Sequence, residues 1–354
     1  MATGYGAKKL CNSLLQFSYS LRHFSLFHSV SSSQTLEESI RIAINTKSYH
    51  QIPDLLLSYE TTNTAINQPQ FQQNSNNPFS FLSSFPQAFM NQIIDEILQS
   101  FMHLRPRSRP KIAYHYLLFH TLQCPNPLPL ALAILQRTLR SGCIPAPQTQ
   151  LSLSSAWLNC RRTQSVPNIL SEMRLIGYHP DCNTCNFLLF SLCAIDQLAE
   201  AITVLKGMCR AGCDPDSESY GTVIGAMCEA RRTEPAARLM MEMVGKIGLT
   251  PRQGTVVKVV AAMRANRELR RAVELVEFLE REGYGVGFEG YETVVEGCLE
   301  RKEFVLAGKV VMEMTKRGFI PYIRVRQRVV EGLACVGEPA LAYAVRQRLA
   351  ELRS

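Results

Sequence analysis

The chain has 354 residues, a formal charge of +8, 46% hydrophobic and 19% charged residues, a globular balance that excludes a disordered polypeptide. Its twelve cysteines are too scattered for a small secreted disulfide scaffold, and no apolar run reaches the roughly 20 residues a membrane helix needs. The longest such run, Leu128 to Leu135, is broken by Pro129.

The first acidic residue is Glu37. Before it stand Lys8, Lys9 and Arg22 and a series of serines from Ser13 to Ser33. A basic, Ser-rich, acid-free leader has the composition of an organellar transit peptide, expected to cover 1–33. Arg22-His23-Phe24-Ser25 is similar to a mitochondrial processing site, so mitochondrion is favoured over chloroplast.

Residues 34–110 read as degenerate helices. Thr35-Leu36-Glu37-Glu38 is a capping-box sequence that starts a helix near Leu36. A second helix spans Ile52 to Tyr59 and a third Gln87 to His103, separated by an Asn/Gln-rich loop at 61–78 that reads as a flexible insertion. Arg105, Arg107, Arg109 and Lys111 then form a basic, proline-broken loop.

From residue 111 a period takes over. Glycines recur at Gly142, Gly177, Gly212, Gly248, Gly283 and Gly318, spaced by 35, 35, 36, 35 and 35 residues, followed on the same grid by Pro145, Pro180, Pro215, Pro251 and Pro321. Glycine just past a helix end adopts the left-handed conformation that other residues resist, and proline prevents the helix from continuing. The grid yields units at 111–146, 147–181, 182–216, 217–252, 253–287 and 288–322, with 323–354 as a closing pair. In 182–216, Asn186 to Cys193 is apolar and Asp196 reads as the cap of a second helix carrying Leu198, Ala201, Ile202, Leu205 and Met208 on one face. Thr233-Glu234-Pro235 reads as a similar helix start. No strand signal competes, and one helix pair cannot hide its own apolar face. The expected fold is therefore all-α: a superhelical solenoid of helix–turn–helix repeats sharing a continuous core.

Basic residues gather where the two helices of a unit meet: Arg161 and Arg162, Arg231 and Arg232, Arg267 with Arg270 and Arg271, and Arg301 with Lys302. Stacked in a row, these could neutralise phosphates; an ordinary solvated turn is the bland alternative. Cys182, Cys185, Cys209 and Cys213 superficially suit zinc, but they fall on repeat positions and read as structural. No Walker loop, metalloprotease His pair, nucleophile elbow or deaminase signature is present, so neither an enzyme, a metal site nor a cofactor is expected.

The 35-residue period, the ending Met208-Cys-Arg-Ala-Gly-Cys-Asp-Pro-Asp216 and the helix opening Tyr220-Gly-Thr-Val-Ile-Gly-Ala-Met-Cys228 resemble the P-type pentatricopeptide repeats of plant organelles, over 111–354 and weakly over 35–105. The resemblance implies a groove for single-stranded organellar RNA, about one base per repeat. It further implies that the fifth residue of a first helix and the last residue of the unit select the base. Asn186 with Asp216 matches the family's uracil-type pair, and Asp181 holds the last position one unit earlier. The other pairs, among them Leu151 with Asp181, Gly221 with Arg252, Val257 with Gly287 and Glu292 with Tyr322, depart from the family's strong combinations. Asn183, Glu218 and Glu289 stand at second positions that usually carry an apolar residue. Two readings stay open: an RNA-binding adaptor in RNA processing, stability, translation or a ribonucleoprotein such as the organellar ribosome, or a protein-binding scaffold. Neither membrane nor DNA is an expected partner.

Overall fold

The computed structural model describes residues 32–64 and 77–352. The expected transit peptide and most of the 61–78 insertion lie outside them. The described residues are helical, and they fall into two compact units divided between Phe81 and Leu82.

In the first unit, α1 (Ser32–Asn45) packs on α2 (Ile52–Thr64). Leu36, Ile40, Ala43, Ile52 and Leu56 form its core, and the Arg41 guanidinium lies 4.8 Å from the Phe81 ring centroid. Helix α1 begins at Ser32, ahead of the expected start. Thr35 is therefore inside the helix, where its carbonyl accepts the Ser39 hydroxyl at 2.8 Å.

The second unit opens with α3 (Gln87–Phe101), so this helix shares a compact body with the periodic region. Seven helix pairs follow: α4 (Lys111–Leu122) and α5 (Leu128–Arg140), α6 (Pro147–Arg161) and α7 (Val166–Glu172), α8 (Cys182–Ala194) and α9 (Leu198–Met208), α10 (Ser217–Glu229) and α11 (Thr233–Gly245), α12 (Gln253–Ala265) and α13 (Leu269–Arg281), α14 (Phe288–Glu300) and α15 (Phe304–Lys316), α16 (Ile323–Cys335) and α17 (Pro339–Glu351). First helices pack on the first helices of neighbouring pairs, α8 on α10 and α12 on α14, while second helices line the other layer. Each pair buries its stripe between the layers, with Leu198, Ala201, Leu205 and Met208 all 2% exposed or less. This is the two-layer helical solenoid that the period predicts.

All six grid glycines adopt left-handed φ, from 71° at Gly142 to 81° at Gly318. The amide after each bends back to the helix it closes, as Tyr178 N does to Met173 O at 2.9 Å and Cys213 N to Met208 O at 3.1 Å. The same closure recurs inside the last five pairs, in four of them without glycine. Asp196, Arg231, Arg267 and Lys302 have φ of 56°, 55°, 64° and 59°, and Gly337 takes the place in the last pair. The next amide again reaches back, from Gln197 to Leu192 O and from Glu268 to Met263 O, each 2.9 Å.

Two sequence expectations change as a result. Asp196 ends α8 rather than capping α9; the cap position belongs to Gln197, which makes no side-chain cap bond. Thr233 is likewise the first residue of α11, and its hydroxyl donates to Glu268 Oε1 of the next unit at 2.9 Å.

Candidate RNA interface

The base-reading candidates sit where one first helix meets the next. Asn186, on α8, is 8% exposed, and its Nδ2 donates to Asp216 Oδ1 at 3.2 Å. Asp216 is the N-cap of α10, and its Oδ1 accepts the amides of Glu218 at 3.0 Å and Ser219 at 2.8 Å. The Ser219 hydroxyl completes a capping box on the Asp216 amide and lies 2.6 Å from Asn186 Oδ1. Burial works to raise the Asp216 carboxyl, but the Ser219 amide and the Asn186 amide outweigh it and hold it below its ordinary value. The two residues singled out from sequence are therefore brought together and oriented before any ligand arrives.

Ser219 was not among the candidates. Its signal was legible as Asp216-x-x-Ser219, the spacing of a reciprocal cap.

Asp181 plays the same local role for α8, accepting Thr184 N at 3.0 Å and Thr184 Oγ1 at 2.5 Å. Its other oxygen takes Arg140 Nε at 3.0 Å and Nη2 at 2.9 Å. Both oxygens are thus held by protein, and its pair partner Leu151 is 59% exposed without polar capacity. One of the second-position carboxylates is neutralised, Glu218 meeting Arg252 Nη2 at 3.0 Å.

Glu292 is the unusual code position. It is 7% exposed, and neither carboxylate oxygen has a hydrogen-bond partner. Burial and the Glu296 carboxylate push its pKa up, against the Tyr322 amide. A raised native value means that the folded chain holds this proton to higher pH than the unfolded chain does. Stability from this group is full below the ordinary glutamate value, falls as pH rises through the native value, and is flat beyond it. Glu292→Gln should therefore melt higher than the parent at pH 8, with the gap closing towards pH 4. Thermal unfolding across that range checks this, and a constant gap would refute it.

The basic residues divide into two groups. Arg161 is turned into the fold, meeting Glu200 Oε1 alongside Trp157 Nε1, which donates to the same oxygen at 2.9 Å. Arg271 pairs with Glu268 at 3.0 Å. Both differ from the expectation of cations open to phosphate, because Glu200 of the next unit claims Arg161 and Glu268, the N-cap of Arg271's own helix, claims Arg271. Arg162, Arg231, Arg232, Arg270, Arg301 and Lys302 are exposed and pair with no carboxylate among the described residues.

The cysteines among the described residues are free thiols. Burial raises Cys193, Cys228 and Cys298 to about 11, 11 and 12, leaving them protonated and inert at neutral pH.

The PPR repeat family model matches residues 180–229, the segment holding Asn186, Asp216 and Ser219. The pentatricopeptide repeat-containing protein At1g06270 of Arabidopsis thaliana is 56% identical over 329 residues, covering 93% of each chain. Small ribosomal subunit protein mL104 (rPPR9) of the same plant is 28% identical over 126 residues, 35% of this chain and 24% of that protein. Among solved structures, maize PPR10 aligns over 98% of this chain and 48% of its own, at 16% identity and a TM-score of 0.37.

Proposed function

Because this chain belongs to the pentatricopeptide repeat family, we propose that it binds single-stranded RNA through the face made by its first helices and catalyses no reaction on it. The observation that carries the reading is the Asn186–Asp216 pair. An amide offers two donor hydrogens and a carboxylate about four acceptor sites, so the internal bonds leave capacity on both residues for a base edge. Uracil, with one ring N–H between two carbonyls, suits that capacity. The remaining positions lack such a pair, so sequence readout is concentrated at one unit and affinity comes from the backbone of the RNA.

We further propose that the chain works in mitochondria, since the acid-free leader suits import, and that it holds a transcript or joins a ribonucleoprotein. The partial likeness to a ribosomal-subunit protein favours the second of these.

Ultraviolet crosslinking of the tagged chain in isolated mitochondria tests the reading. A few sharp footprints support a transcript-specific factor, broad ribosomal RNA signal a ribosome component, and no crosslink above background a protein scaffold. In vitro, Asn186→Ala with Asp216→Ala is expected to weaken binding to uridine-containing sites about tenfold, the loss of one or two hydrogen bonds, with little change on other sequences. The same double variant loses a helix cap, at about 1 kcal/mol. Asp216→Asn retains capping ability and separates the two effects. Equal losses on all sequences would refute base readout.

A further inference from the structure

Arg231, Arg267 and Lys302 occupy the turn position that requires left-handed φ, in three successive units. An L side chain there is strained, and glycine relieves it, as Gly337 does in the last pair. A long cationic side chain at such a position therefore opposes the local backbone preference three times over. None of the three makes an ion pair among the described residues, and all are exposed.

They also belong to one continuous edge. Asn266 Nδ2 donates to the Arg231 carbonyl at 3.1 Å, which ties the second unit's turn to the first. Arg267 and Arg301 line a shared open depression between α12 and α14. Arg232 and Arg301 flank this row. The nearby acids are partly neutralised: Glu268 by Arg271, and Glu300 by Arg264. Glu229 ends α10, Glu234 lies in the first turn of α11 and Glu303 is the N-cap of α15, so single acids alternate with the cations, and Asp196 ends the row on one side.

We infer that this edge, carried by Arg231, Arg267 and Lys302, is a second RNA surface that takes the phosphate backbone of a base-paired RNA segment. The choice of a duplex follows from what the edge lacks. Residues 228–236 and 264–271 contain no aromatic side chain, and Phe304, the one aromatic in 299–306, has its ring packed against Gly332 of α16, so there is no free platform on which an unpaired base could stack. Charges without stacking or a base-reading pair recognise backbone, and a paired helix presents backbone with its bases hidden. The inference rests on the RNA reading above. It places a single strand on the first-helix face and an adjoining stem along the turns.

The test is the full chain with Arg231→Gly, Arg267→Gly and Lys302→Gly together, a variant whose backbone preference is better satisfied than the parent's. Its melting temperature should be unchanged or higher. Affinity for a blunt RNA duplex at about 0.1 M salt should fall on the order of tenfold. The slope of log affinity against log salt should fall by about 2–3, roughly 0.7–0.9 per lost phosphate contact. A uridine-rich single strand with the same number of phosphates should lose less than about threefold, since the charges removed are not on its face. Unchanged duplex binding, or equal loss on both RNAs, overturns the inference. A parent chain that binds the single strand but not the duplex also overturns it and leaves the proposed function standing; failure to bind either RNA removes both.

Discussion

Leu205→Asp is expected to unfold its repeat. Leu205 is 1% exposed in the stripe that α9 turns towards α8 and the neighbouring pair. The change removes a buried aliphatic side chain, which alone costs about 2–5 kcal/mol, and places a carboxylate where it finds no partner. The sum is on the order of 5 kcal/mol or more, comparable to the stability of a whole domain. Because each unit of a solenoid is held only by its neighbours, the damage should centre on 182–216 and interrupt the array there. Hydrogen exchange should show protection lost in α8 and α9 first, and limited proteolysis should cut between the two halves. Leu205→Met, which conserves volume, should cost less than about 1.5 kcal/mol. Uniform protection in the Asp variant would contradict this account of the core.

Trp157→Ala is the second large effect, expected to cost about 3–5 kcal/mol. Trp157 is completely buried on α6, and its indole N–H reaches Glu200 on α9 of the next unit at 2.9 Å. The same Glu200 oxygen holds Arg161. The residue therefore joins two units through both apolar area and a charged hydrogen bond. Its removal leaves a cavity at their junction and loosens the anchor of Arg161. For a protein of this size the melting temperature should drop on the order of 10 °C. Trp157→Phe keeps most of the area and loses the hydrogen bond, at about 1.5–3 kcal/mol. If the Ala and Phe variants melt together, the hydrogen bond rather than the packing dominates the junction.

The repeat was legible because its punctuation is physically demanding. Gly142 through Gly318 mark the one backbone conformation that favours glycine, and the stripe through Leu198, Ala201 and Leu205 has helical spacing. The turn inside each pair was misread at Asp196 and Thr233. Their residue types suggest helix starts, whereas the chain uses Asp196 itself, and Arg231 two residues before Thr233, in a strained left-handed closure that the sequence does not announce. At the site, Asn186 and Asp216 were found through the family pattern. The hold that Arg140 has on Asp181 spans 41 residues of sequence and depends on how adjacent units stack. The isolation of the Glu292 carboxyl has the same origin. Before the periodic region, α1 began earlier than its capping-box signal because a sequence of that form can also sit inside a helix.

The double duty of Asp216 bears on how this protein could change its target. The oxygen that fixes Asn186 also starts α10, so the residue proposed to choose a nucleotide is part of the scaffold. Swapping it for a side chain that cannot cap would retune recognition and slacken the next repeat in one step. Only replacements able to do both jobs leave the neighbour intact, chiefly asparagine, serine and threonine. The evolutionary paths open to this position are therefore narrower than its place at the junction of two first helices suggests, and a designer altering its specificity should vary Asn186 first.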